Sequence, residues 1–158
     1  MRFLFLIFCS FLMSCVDSGS QDPKAKDTAD SGMDTSLIRK TGADAYGMKH
    51  FVMAFLKKGP NRNQDSATAV QLQKAHMANI ERMAEEGKLV IAGPFEDDFE
   101  IRGIYIFNVS TIEEAKALTE TDPAIKAGRL VMELHPWYGS AALMEVNSIH
   151  KRLQTSSF

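Results

Sequence analysis

Cysteine is nearly absent from this sequence. Only two of its 158 residues are cysteines, Cys9 and Cys15, and both lie close to the N-terminus. All of the chain that follows therefore lacks a thiol. That absence excludes a disulfide framework, a thiolate nucleophile and any cysteine-ligated metal from the folded part of the protein.

Other functional signals are missing as well. Lys and Arg number 18 against 20 Asp and Glu, a net charge of −2, and no basic stripe is present that could neutralise nucleic-acid phosphates. There is no glycine-rich phosphate loop, zinc-ligand spacing or serine nucleophile elbow. The acidic residues 96–100 lack the spaced oxygens and central glycine of a calcium loop. We therefore expect no nucleic-acid partner, no cofactor and no metal.

The first fifteen residues, MRFLFLIFCSFLMSC, place one arginine before an apolar run that ends at Met13. This pattern is typical of a secretory signal and is too short to span a bilayer as a mature helix. The end of the run, LMSC at residues 12–15, resembles a bacterial lipobox. We predict a signal peptide over residues 1–14 and an exported protein, held at the bacterial cell envelope only by a lipid on Cys15. The alternatives are a plain secretory signal cleaved elsewhere, or a hydrophobic N-terminus with an incidental cysteine.

Residues 16–45 are rich in Ser, Asp, Thr, Lys and Gly and almost devoid of large apolar side chains. Such a segment buries too little surface to offset the loss of chain entropy on folding. We predict that residues 15–45 form a lipidated, disordered tether. Residues 46–158 then form one domain with a C-terminal helical extension.

The domain shows an alternation of strand and helix patterns. Apolar runs bounded by turn residues predict four strands, and capping residues followed by apolar periodicity predict the helices. The strands are expected at residues 50–56, 88–93, 102–109 and 129–137, where Pro136 ends the last one. Helices are expected from Asp65 or Ser66 to Glu86, over 110–118, briefly within 121–128, and over 140–150.

The order β-α-β-β-α-β predicts an α+β fold of the ferredoxin-like, split βαβ type, with an antiparallel four-stranded sheet and two main helices. Strands one and three carry apolar residues at both odd and even positions, so both faces of the sheet should be covered. The helices cover one face. A second copy of the chain is the economical cover for the other, which predicts a homodimer.

One histidine is not explained by its surroundings. His76 shares a helix face with Leu72, Ile80 and Met83, and that face is otherwise apolar. It is either a buried structural residue with a hydrogen-bond partner or a group aimed into a pocket. Asp122 is our candidate partner, because a carboxylate fixes the imidazole tautomer and stabilises the imidazolium. Asp122 precedes Pro123, so it can equally be an ordinary helix cap.

Two separated motifs carry a resemblance to a known family. Gly87, Leu89, Ala92, Gly93 and Pro94 form G-x-L-x-x-A-G-P, and residues 121–123 with Ala127 and Gly128 form T-D-P followed by A-x-A-G. From residue 72 to residue 137 the sequence resembles the YciI-related (YCII) domain family. The resemblance implies a ferredoxin-like, dimeric α/β-barrel-like fold and a His-Asp site at His76 and Asp122. It does not imply one particular reaction.

Four further residues are candidates for lining a pocket near that site: Pro94, Phe95, Tyr105 and His135. His135 lies beside Trp137 and Tyr138, whose apolar bodies and polar tips suit a pocket mouth, although packing in the core or at a dimer interface is the alternative. The leading hypothesis is a small-molecule enzyme that uses the His-Asp pair for acid–base chemistry such as elimination or isomerisation. The alternatives are a non-catalytic module that binds a small ligand and a structural dimeric module.

Overall fold

The computed structural model describes residues 32–156, which are built around a four-stranded antiparallel sheet. The predicted signal peptide, Cys15 and residues 16–31 of the predicted tether lie outside the described residues, so the lipid anchor stays a prediction. The strands are β1 Met48–Lys58, β2 Leu89–Pro94, β3 Ile101–Phe107 and β4 Leu130–Ser140. The helices are α1 Thr35–Thr41, α2 Ser66–Glu85, α3 Ile112–Thr119, α4 Pro123–Lys126 and α5 Val146–His150, with a 3₁₀ turn at Ala141–Glu145.

The strand order β2-β3-β1-β4 confirms the predicted ferredoxin-like topology. β1 pairs with β3 on one side and β4 on the other, and β2 completes the sheet beside β3. α2 and α3 pack on one face of this sheet, which we call the helix face. The buried side chains between helices and sheet are Val52, Ala54, Leu56, Met83, Leu89, Tyr105, Phe107, Val109 and Ala115.

Capping side chains fix where α2 and α3 start. Asp65 accepts a hydrogen bond from the backbone N–H of Thr68 and begins α2, as predicted. Thr111 caps α3, which begins at Ile112 and not at the expected residue 110, and forms a capping box with Glu114. These bonds occupy N–H groups that have no partner inside a helix.

The prediction of a disordered tether over residues 15–45 is wrong at its C-terminal end, where residues 35–41 form α1. Asp34 caps this helix by accepting from the N–H groups of Ser36 and Leu37, and Gly42 ends it with a positive φ of 71°. Lys40 forms an ion pair with Glu145 at 2.7 Å, so α1 contacts the C-terminal segment. Local capping thus orders a segment whose composition alone indicates disorder.

The prediction that Pro136 ends the last strand is also wrong, because β4 continues through it to Ser140. Proline is tolerated because β4 pairs only with β1 and is an edge strand of this sheet. The expected helix over 140–150 is instead the 3₁₀ turn followed by the short helix α5.

The face of the sheet opposite α2 and α3, which we call the outer face, is partly covered by the chain itself. Leu143 and Met144 of the 3₁₀ turn pack near Phe51, Val90 and Ile106, which are buried there. Farther along the outer face, Phe55 and Ile104 are partly buried. Within the described part of the chain, no helix combines the length and apolar character needed to cross a membrane.

Candidate active site

His76 lies in the middle of α2 and points toward the sheet. The residues one and two turns later, Ile80 and Met83, belong to the core on the helix face, so the apolar stripe that includes His76 is turned inward. Only 7% of His76 is exposed. An imidazole in that position requires a partner for each ring nitrogen that is shielded from water.

Asp122 is the partner of the first nitrogen. It sits between α3 and α4, is completely buried, and its Oδ2 lies 2.6 Å from Nδ1 of His76. Its other oxygen, Oδ1, accepts a 2.8 Å hydrogen bond from the backbone N–H of Ala124 and so caps α4. His76 and Asp122 are therefore in direct contact, and Asp122 is also the cap of α4.

Tyr105 is the partner of the second nitrogen. It lies on β3 with its side chain on the helix face, and its hydroxyl oxygen is 3.4 Å from Nε2 of His76. The two rings are nearly parallel, with an interplanar angle of 19°. Burial, and then the charge of the nearby Asp122 carboxylate, raises the pKa of the Tyr105 phenol well above its ordinary value. Tyr105 therefore stays a neutral hydrogen-bond donor near pH 7.

These contacts define the state of the imidazole. A carboxylate oxygen only accepts hydrogen bonds, so Asp122 favours the tautomer with the proton on Nδ1. Nε2 then carries the lone pair, and the Tyr105 hydroxyl is placed to donate to it at a longer distance. A histidine held this way can take a proton at Nε2, and the carboxylate stabilises the imidazolium that results.

The other predicted pocket residues are not brought to this pair. Pro94 is opposite Gly103 in the sheet and shares the helix face with Tyr105, but it is exposed. Phe95 follows β2 in the turn to β3. His135 lies on the outer face, where Nε2 is 2.9 Å from Glu133. Of the four candidates, Tyr105 alone contacts His76.

The turn between β2 and β3 forms a cavity of its own. It has a volume of about 300 Å³ and is lined by Phe95, Asp97, Phe99, Glu100 and Ile101, none of which contacts His76 or Asp122 in the described hydrogen bonds. Residues 32–156 contain no group of three or more His, Asp or Glu side chains arranged to hold a metal ion.

Sequence analysis missed three residues beside the pair. Asn79 lies one turn after His76 on α2 and is buried, Thr121 immediately precedes Asp122, and the guanidinium of Arg82 contacts both of them. Asn79 could have been found from its spacing, because a residue three positions after His76 lies on the same face of the helix. Only the fold brings Thr121 next to it.

Comparisons with known proteins give the following matches. A family model described as the YCII-related domain matches residues 50–138, a range that contains His76, Tyr105 and Asp122. A solved structure, 5-chloro-2-hydroxyhydroquinone dehydrochlorinase from Burkholderia phenoliruptrix AC1100 in complex with 2,5-dihydroxybenzoquinone, is 19% identical. The match has a TM-score of 0.42 and covers 54% of this chain and 92% of that chain. No curated protein matches.

Proposed function

The chain belongs to the YCII-related domain family, and from this premise we propose that it is an enzyme that transfers protons to or from a small molecule at His76. The observation that carries the proposal is the arrangement of the imidazole between two oxygen atoms. Nδ1 is held by Asp122 at 2.6 Å, and Nε2 faces the hydroxyl of Tyr105. The family match includes all three residues.

Each residue has a distinct role in this proposal. His76 removes or delivers a proton through Nε2. Asp122 orients the ring and stabilises its protonated form, as a buried carboxylate beside a catalytic histidine does. Tyr105 donates a hydrogen bond to the negative oxygen that develops when a carbon acid is deprotonated, because its phenol stays neutral at neutral pH. Elimination and isomerisation both use these steps.

A substrate can reach Nε2 of His76 only if it displaces the hydroxyl of Tyr105 from that nitrogen. The Tyr105 hydroxyl is the group nearest to it, and the 3.4 Å separation is longer than an ordinary O–H···N bond. A substrate C–H or O–H group that approaches Nε2 therefore competes with a weak contact. The phenol is then free to bind the oxygen of the same substrate.

A second candidate function is a non-catalytic module that binds a small ligand or assembles as a structural dimer. It is favoured by the burial of the pair, since Asp122 is fully enclosed and His76 nearly so. In that case the pair fastens α4 to α2 and His76 transfers no proton. The two functions differ in what a substitution of His76 does.

The test is exchange of carbon-bound hydrogen for deuterium. Wild-type protein in D₂O is mixed with a panel of small carbonyl and phenolic carbon acids, and loss of each C–H signal is followed by NMR. We expect catalysed exchange with at least one compound and a loss of about 10²–10⁴ in rate in His76→Asn, the usual cost of removing a general base.

His150→Asn is the matched control, because His150 is an exposed histidine at the end of α5. It should exchange at the wild-type rate. The proposal fails if wild type and His76→Asn behave alike. A large fall in the melting temperature of His76→Asn without any catalysed exchange in wild type would favour the structural function.

A further inference from the structure

Two connections join α2 to the turn that carries Asp122. The first is the bond between His76 and Asp122. The second lies one helical turn along α2, where Asn79 and Arg82 meet Thr121, the residue immediately before Asp122. Thr121 and Asp122, which are consecutive in the chain, therefore both contact the same face of α2.

Arg82 is the centre of the second connection. Its Nη2 lies 2.8 Å from Oδ1 of Asn79 and 3.0 Å from Oγ1 of Thr121. A guanidinium NH₂ group has two hydrogens, so one donates to each oxygen. Oγ1 of Thr121 also lies 2.7 Å from the carbonyl oxygen of Leu118 at the end of α3, to which the hydroxyl donates.

This arrangement fixes the amide of Asn79 as well. Its oxygen must face the guanidinium, so its Nδ2 points toward the sulfur of Met83 at 4.0 Å. Asn79 is 7% exposed, and its oxygen accepts from Nη2 of Arg82, while Oγ1 of Thr121 lies 3.0 Å from the same oxygen. The buried amide therefore links the core side of α2 to the surface guanidinium.

We propose that Asn79 and Arg82 are positioning residues that hold Thr121 against α2 and so set the distance from the Asp122 carboxylate to Nδ1 of His76. On the N-terminal side of Asp122 the backbone is held by Thr121, and on the C-terminal side by the cap of α4. A displacement of Thr121 moves its neighbour, and a hydrogen bond weakens quickly as it lengthens. The proposal deepens the proposed function and rests on it.

The ion pair of Arg82 with Glu86 supplies an internal control. Nη1 donates to Oε1 of Glu86 at 2.8 Å, on the exposed side of α2 and away from Thr121. Glu86→Gln removes that pair while keeping the contacts of Nη2. If Arg82 only stabilises the surface of α2, Glu86→Gln and the Thr121 variants should change the exchange of the His76 Nδ1–H to the same extent.

The experiment is ¹⁵N and ¹H NMR of the imidazole groups in full-length protein without any ligand. Thr121→Val removes the hydroxyl at nearly constant size, Thr121→Ser restores it, and Asn79→Leu removes the amide. We expect Nδ1–H of His76 to exchange with water roughly tenfold faster in Thr121→Val and Asn79→Leu, because exchange follows the population of the broken bond. Thr121→Ser and Glu86→Gln should match wild type.

Resonances of His50, His135 and His150 report whether each variant is folded. Since Thr121 is exposed, Thr121→Val keeps the test decisive even if the buried Asn79→Leu variant unfolds. Unchanged Nδ1–H exchange in folded Thr121→Val overturns the proposal, as does equal acceleration in Glu86→Gln. Absence of turnover in wild type counts against the proposed function and not against this one, because the imidazole is observed without substrate.

Discussion

At the scale of single residues, Asp122 stands out because its two carboxylate oxygens have separate duties. Oδ1 caps α4 and Oδ2 holds the imidazole. The side chain is buried, so neither oxygen can exchange its partner for water without cost. The stability of α4 and the tautomer of His76 therefore depend on one group, and a substitution can separate them.

We predict that Asp122→Asn keeps the fold and changes the tautomer. Asn is as good a helix cap as Asp, so the amide oxygen can keep the bond to Ala124. The amide NH₂ then faces Nδ1 and favours the proton on Nε2, where it blocks the proposed base. The imidazole ¹⁵N shifts should show the proton moved to Nε2, with the melting temperature close to that of wild type.

Asp122→Ala is the comparison for this prediction. It removes both oxygens, so it should lower the free energy of unfolding by about 0.5–2 kcal/mol through the lost cap alone. Unchanged imidazole shifts in Asp122→Asn would show that Oδ2 does not set the tautomer of His76.

At the scale of secondary-structure elements, the sequence predicts the strands and helices that are determined by local patterns of apolar and capping residues. The four strands, α2 and α3 follow from apolar runs and capping residues, and their bounds differ from the structure by a few residues at most. The pairing of His76 with Asp122 was expected because the family resemblance implies it and because a histidine on an apolar helix face needs a partner. α1 was missed because the polar composition of its segment outweighed its local caps, Asp34 and Gly42, and the full extent of β4 was missed because it depends on pairing with β1.

The same reason explains what was missed at the site. Tyr105 was chosen only as a residue that could line a pocket, and its position opposite Nε2 depends on how β3 lies under α2. Thr121 is a surface residue with no apolar pattern around it. Its bond to Arg82 spans 39 positions of the chain, and no local signal predicts it.

The C-terminal segment permits a prediction at this scale. A chain that ends after Ser140 lacks Leu143 and Met144, and so exposes the part of the outer face around Phe51, Val90 and Ile106. Burial of one large apolar side chain is worth about 1.5–3 kcal/mol, so we expect the free energy of unfolding to fall by about 2 kcal/mol or more. Chemical denaturation measures it.

Removal of residues 151–158 alone is the control, because the described residues of that stretch, 151–156, are exposed. It should leave the denaturation midpoint near that of the full chain. Equal midpoints for the two truncations would mean that the 3₁₀ turn contributes no packing energy to the outer face.

At the scale of the whole molecule, the outer face is divided in two. One part is covered by the C-terminal segment. The other presents Met53, Phe55, Ile104 and Val131 together with the ion pair between Lys57 and Glu133. Val131 is 40% exposed and the other three apolar residues are partly buried within the single chain. An apolar surface of this kind is typical of a protein–protein contact.

We predict that the protein is a homodimer through this uncovered part of the outer face, and that Phe55→Glu makes it a monomer. A carboxylate at this position would lie directly opposite Glu133 in the sheet, and its charge would be desolvated at the contact. Sedimentation velocity at micromolar concentration should give twice the monomer mass for wild type and the monomer mass for Phe55→Glu. Val70→Glu, at a 69% exposed position on α2, should remain dimeric. A monomeric wild type would contradict the prediction.

The prolines on the edge strands of the sheet hinder the addition of further strands from other molecules. β2 and β4 are the two outermost strands, and each carries one, Pro94 at the end of β2 and Pro136 within β4. Proline has no N–H to offer, and in sheets it lies where its nitrogen faces away from the neighbouring strand. Each rim of the sheet therefore has a gap in its row of donors, which hinders the strand-by-strand addition that produces fibrils. The predicted homodimer through the outer face would be a closed assembly of two copies, whereas addition at the rims has no natural end.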